Sequence, residues 1–180
     1  MADELDMRGF LLAERLWCEE EWPRLLNARP LRRATSSLLR LSGRTFEEWL
    51  ASVSPKFRRE MQRRERNLVR DHGLTFRLVT GEAERESALA ALIRLHDARW
   101  RNTSTTFGAA NTRFYDAFTR MAAERGWLRL WLAEVDGRPI AARLGFYFAG
   151  RAWAYQSGRD PAWDKSGVGI VLLVHTLREA

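Results

Sequence analysis

The dipeptide Asp136-Gly137 constrains the fold of this chain more than any other feature. It separates two runs rich in alternating apolar residues, Trp127 to Val135 and Pro139 to Phe148. Asp-Gly between two such runs is a strong signal for a two-residue β-hairpin, because its backbone accepts positive φ at both turn positions. A second short turn, Ala149-Gly150, leads into a third run from Arg151 to Gly158. The sequence therefore predicts an antiparallel meander of three strands.

Helices surround this meander in the predicted order. Thr45 with Glu48 forms a capping box, and Ser54 before Pro55 predicts a second helix start. The remaining predicted elements are a helix from Ser54 that Gly73 ends, a strand at 74–79, helices at 82–101 and 113–125, and a final helix after residue 167. The order β-α-α-β-β-β-α does not suit a doubly wound parallel sheet. We predict an α/β fold of the α+β type, with a mixed, largely antiparallel sheet flanked by helices.

Composition and charge narrow the possible functions. Hydrophobic residues make up 46% of the 180 residues and the net charge is +7. Of the 30 basic residues only Lys56 and Lys165 are lysines, which indicates a general preference for arginine more than a nucleic-acid surface. Cys18 is the single cysteine and the three histidines are scattered, so we expect no metal site. The acidic start and the lack of a long apolar run favour a cytoplasmic protein without a membrane partner.

The closing stretch DKSGVGIVLLVHTLREA carries the chemical signal. A basic turn with glycines spaced G-x-G leads into an apolar helix. Helix N-termini expose unpaired amides that bind phosphates, and glycine lets the backbone approach closely. The turn fits neither a Walker A loop nor a dinucleotide fingerprint. The residues that we predict to bind phosphate are Lys165, Ser166, Gly167, Val168, Gly169 and Ile170.

This element resembles the coenzyme A-binding element of the GNAT acyltransferases, in which a basic G-x-G turn precedes an aliphatic helix. The wider pattern is similar to the branch named for the cellulose-biosynthesis protein CelD, a relative of the Fem-type transferases. Three stretches carry this resemblance: SPKFRREMQRR, DGRPIAARLGF and WAYQSGRDPAWDKSGVG. The resemblance implies a GNAT-like domain over residues 45–180, preceded by a segment at 1–44 that is the remnant of another half or a linker. It also implies further strands beyond Ala180, so we expect a sheet that is incomplete at the C-terminus.

The resemblance implies an N-acyltransferase that passes an acetyl or acyl group from acyl-CoA to an amine by direct attack. The amine would belong to a small molecule or to a peptidoglycan- or polysaccharide-related compound. In this reading Gln156 contacts acyl-CoA, and Tyr155 is a candidate acid unless its ring only fills the sheet face. We expect His96 and His175 to be satisfied, half-buried histidines. Asp160 and Asp164 are expected to make turn hydrogen bonds.

Two alternatives remain open at the level of the sequence. The first is a Fem-like aminoacyl transferase that uses charged tRNA, with RNA facing the basic helix at 54–70. Seven basic residues stand against two carboxylates there. The second alternative is a scaffold without catalytic activity.

Overall fold

Side-chain caps define the first helices. In the computed structural model, which describes Leu39 and residues 43–100 and 106–180, Thr45 caps helix α1 (Phe46–Ser52) with a complete capping box. Ser54 caps helix α2 (Pro55–His72), and Gly73 ends it in the left-handed conformation. All three predicted boundaries are therefore confirmed. Most of the segment at 1–44, including Cys18, lies outside the described residues.

The later elements follow the predicted order. They are β1 (Thr75–Val79), α3 (Glu82–Trp100), α4 (Ala109–Glu124), β2 (Leu128–Val135), β3 (Arg138–Phe148), β4 (Arg151–Arg159), a 3-10 turn (Pro161–Trp163) and α5 (Val168–Arg178). Helix α4 begins four residues before the predicted start at Arg113, and Thr112 lies within its first turn. The Thr112 hydroxyl donates to the Phe107 carbonyl at 2.9 Å and is thereby satisfied within the first turn.

The four strands of the described part of the chain form one sheet in the order β1-β2-β3-β4. Every neighbouring pair is antiparallel. Asp136 and Gly137 have φ of 50° and 72°, and Ala149 and Gly150 have φ of 50° and 71°, as type I′ hairpin turns require. The predicted α/β fold with a largely antiparallel sheet is confirmed.

Helices cover both faces of this sheet. One apolar cluster joins α3 and α4 to the sheet and includes Leu92, Leu130 and Leu144. The other cluster joins α2 and α5 to the sheet and includes Leu68, Val168 and Leu172. Burial of both sheet faces explains the nearly continuous apolar runs of β2 and β3.

Two features of β4 position the site. The pairing of β3 with β4 shifts between Leu144 and Gly145, so that Tyr155 is an extra residue on β4. Three residues after Tyr155, Gly158 lies against α3, where a Cβ would overlap the backbone of His96. This close contact brings the C-terminal end of α3 to the edge of the sheet.

The described residues form neither a membrane-spanning helix nor a metal-binding cluster. None of their helices is long and apolar enough to cross a membrane. None of their His, Cys, Asp and Glu side chains cluster in a way that could hold a metal ion.

Candidate active site

A series of tight turns immediately precedes the N-terminus of α5. The Asp160 carboxylate accepts from the Ala162 amide at 2.9 Å, as expected for a turn aspartate. Gly167 then adopts φ of 71°, and its carbonyl accepts from the amides of Ile170 and Val171, both at 3.1 Å. Helix α5 starts immediately afterwards.

The first amides of α5 are left without internal partners. Within the described residues, no acceptor is recorded for the backbone N–H groups of Val168 and Gly169. Such amides carry the positive end of the helix dipole. The start of α5 is therefore a donor-rich, electropositive point on the backbone.

A cleft of about 380 Å³ lies at this helix N-terminus. It is bounded by the C-terminal part of α3, by β3 and β4, and by the first turn of α5. Its lining includes Arg99, Arg143, Arg159, Gly167, Gly169 and Ile170. Ala142 and Leu172 add apolar surface, so the cleft combines cations, backbone amides and an apolar wall.

Three arginines from three elements give the cleft its charge. Arg99 of α3 donates to the Ser157 hydroxyl at 3.3 Å, and burial together with the nearby Arg159 lowers its pKa. Arg159 of β4 pairs with Asp164. The Asp164 carboxylate therefore forms an ion pair with Arg159, and not the hydrogen bond to a turn amide that we expected. Since Asp164 is the only carboxylate among the described lining residues, the cleft carries an excess of positive charge.

Arg143 is the most exceptional of the three. It extends from the middle of β3, where it is paired in register with Trp131 and Ser157. Burial lowers its pKa, and no carboxylate counteracts this effect. No hydrogen bond or ion pair to Arg143 is recorded within the described part of the chain. A half-buried cation without a counter-ion indicates a place for an anionic ligand.

The predicted phosphate-binding residues are divided by the structure. Gly167, Gly169 and Ile170 line the cleft, whereas Val168 is fully buried in the core between α2 and α5. Lys165 and Ser166 line a second cleft of about 230 Å³ on the α2 side of the turn.

Tyr155 and Gln156 line neither cleft. The Tyr155 ring packs edge-on against Tyr115 and Phe146, with centroid separations of 5.9 and 6.0 Å. The Tyr155 ring therefore packs against the apolar cluster that joins α3 and α4 to the sheet.

His96 and His175 line neither of the two clefts. His96 is buried and its Nδ1 lies 3.2 Å from the Ser157 carbonyl. His175 stacks on Phe76 at a centroid separation of 3.9 Å. The expected half-burial of His175 is confirmed, but its expected hydrogen bond is wrong, because its buried Nδ1 has no partner among the described residues.

Sequence reasoning missed Arg99, Arg143, Arg159 and Ser157. Arginine is so abundant in this chain that Arg99 and Arg159 do not stand out in the sequence. Arg143 was the exception, because it is the only charge in the run from Ile140 to Phe146. A lone charge inside a strand covered on both faces is a usable signal for a site.

A comparison with protein families decides the assignment. A family model described as the acetyltransferase (GNAT) domain matches residues 55–180. The chain belongs to the GNAT acetyltransferase family. The match begins at the first residue of α2 and includes every later element, so the predicted GNAT-like fold is confirmed. This GNAT domain is accordingly a transferase for acyl groups. Comparison with curated proteins gave no match.

Proposed function

We propose that this GNAT domain binds acyl-CoA in the cleft at the N-terminus of α5 and transfers the acyl group to an amine. The family supports acyl transfer, and the donor and acceptor are our inference. The amine nitrogen attacks the thioester carbonyl carbon and loses a proton, the C–S bond breaks, and the departing thiolate gains a proton.

The observation that carries this proposal is the donor set of the cleft. Arg99, Arg143 and Arg159 line the same cleft as Gly169, whose backbone amide has no acceptor within the described residues. A diphosphate needs several donors and positive charge at short range, and guanidinium groups match its oxygens well. The apolar side, with Ala142 and Leu172, suits the uncharged arm of the same molecule.

The residues of the chain have separate roles in this reaction. The α5 amides and the arginines bind and orient the donor, which converts a bimolecular encounter into a positioned one. Lys165 and Ser166, which line the second cleft on the α2 side of the turn, stay predicted contacts for the phosphates of acyl-CoA. Gln156, beside the bulge of β4, stays a predicted contact near the thioester of acyl-CoA.

Tyr155 is our candidate for proton donor to the thiolate. The bulge on β4 isolates this residue from the regular strand pairing, and its hydroxyl is the only chemical group that Tyr155→Phe removes. A lower kcat at unchanged affinity for acetyl-CoA supports the role. Unchanged kcat assigns Tyr155 to packing alone.

We infer the acceptor class from the resemblance to the CelD branch. The stretches SPKFRREMQRR and DGRPIAARLGF support it, and they correspond to α2 and to the hairpin of β2 with β3. The proposed acceptor is an amine on a small molecule or on a compound related to peptidoglycan or polysaccharide. Measuring CoA release from acetyl-CoA with a panel of such amines tests this class. If none of the amines increases CoA release, the class is rejected.

Isothermal titration with acetyl-CoA tests the donor. Arg143→Met keeps the apolar stem but removes the uncompensated charge, and we expect binding to weaken by about tenfold or more. Arg138→Met is the matched control, because Arg138 is an exposed arginine of the same strand outside the cleft. Equal affinity of both variants would reject the cleft as the binding site. No heat with the unmodified chain would favour the tRNA-dependent transferase or the inactive scaffold.

A further inference from the structure

The turn before α5 is held from its outer side by a side chain of α2. The Arg64 Nη1 atom donates to the Lys165 backbone oxygen at 2.9 Å. The Nε atom of the same guanidinium donates to the Glu60 carboxylate at 2.7 Å. One planar group therefore connects the middle of α2 to the turn that precedes the phosphate-binding amides.

Gly167 is fitted to this contact. A Cβ on Gly167 would overlap the Arg64 guanidinium. The φ of 71° at this position favours glycine, and a side chain here would in addition displace the end of Arg64. The close approach of Arg64 depends on the absence of that side chain.

The Lys165 carbonyl that Arg64 holds is close in sequence to the first amides of α5. Lys165 lies three residues before Val168, and the carbonyl of the intervening Gly167 accepts the first helical hydrogen bonds, from Ile170 and Val171. A turn without a fixed Lys165 carbonyl would have more conformations available, and ordering them would oppose ligand binding.

We propose that Arg64 is a positioning residue, which fixes the turn so that the amide of Gly169 at the start of α5 is in place before acyl-CoA binds. The ligand in this statement rests on the proposed function. The restraint on the turn does not.

Glu60 orients the Arg64 side chain by accepting a hydrogen bond from its Nε atom. Hydrogen bonds from Arg63 and Arg64 lower the pKa of the Glu60 carboxyl, so it stays ionised at neutral pH. Arg64 is also mostly covered, with 28% of its side chain exposed, whereas 59% of the Arg63 side chain is exposed.

Arg63 provides a matched control. It lies on the same helix, lines the same second cleft and donates to the same carboxylate at 2.8 Å. No hydrogen bond from Arg63 to the turn is recorded within the described residues. Replacing either arginine therefore removes one positive charge at almost the same place, but only one replacement releases the turn.

Binding of acetyl-CoA by calorimetry is the first test. We expect Arg64→Ala to weaken binding about tenfold, in keeping with the loss of a charged hydrogen bond, and Arg63→Ala to weaken it about twofold or less. Arg64→Lys keeps the charge but not the fork of donors, so we expect it to behave like Arg64→Ala. Equal losses in the two alanine variants, or full affinity in Arg64→Lys, would overturn the positioning role.

Amide hydrogen exchange without ligand is the second test, and it separates this inference from the proposed function. We expect the amides of Ile170 and Val171 to exchange faster in Arg64→Ala than in Arg63→Ala. Equal exchange rates would overturn the restraint even if acetyl-CoA binds. Faster exchange without any binding of acetyl-CoA would support the restraint and reject the ligand.

Discussion

His175 illustrates how packing sets the charge of a single side chain. Its ring is stacked on Phe76 and meets the edge of Trp131 at a centroid separation of 5.0 Å. Burial lowers its pKa, while Glu179 and Glu65 raise it and Arg178 lowers it further. Burial is the largest of these effects, so the folded chain favours the neutral imidazole.

This burial predicts a dependence of stability on pH. In the unfolded chain His175 takes up a proton near its ordinary pKa of about 6.5, but in the folded chain only at lower pH. The contribution of His175 to stability is therefore complete above pH 6.5 and is lost as the pH falls through the folded pKa. Urea unfolding at pH 7.5 and about pH 5.5 measures it. His175→Phe should reduce the loss of stability on acidification. An unchanged pH dependence in His175→Phe would contradict this account.

At the scale of elements, local signals predicted more than non-local ones. The capping box at Thr45, the start at Ser54 and the hairpin at Asp136 each depend on a few adjacent residues, and all were predicted. The bulge at Tyr155 depends on how β4 pairs with β3, which no local pattern specifies. For the same reason the sequence could not bring Arg99 of α3 next to Arg159 of β4.

Gly158 carries the contact between β4 and α3, and it predicts a stability effect. Gly158→Ala would force the Cβ into the backbone of His96 and Leu95, and we expect it to destabilise the fold by about 1–3 kcal/mol. Gly81→Ala is the control, because a Cβ there would meet nothing within 4 Å. Its effect should stay within about 0.5 kcal/mol. Chemical denaturation compares the two variants, and similar midpoints would show that the α3 contact does not constrain this strand.

At the scale of the whole molecule, charge and fold act together. The net charge of +7 attracts anions at long range and is screened by salt. The fold concentrates part of this charge where α3, β3, β4 and α5 meet. The sequence predicted Gly167 and Gly169 as binding residues, and both line this cleft. It assigned the charge to Lys165, which lies on the other side of the turn. The cations of the cleft come instead from three separated elements.

The most direct test of the central claim is the amide NMR spectrum of the chain during titration with acetyl-CoA. If the α5 N-terminus binds the diphosphate, the amide resonance of Gly169, which lines the cleft, should shift strongly downfield as it gains an acceptor. The amides of Gly73 and Gly137, which lie in other turns, should stay in place. Saturable binding that leaves the Gly169 amide unchanged and shifts other amides would contradict the account.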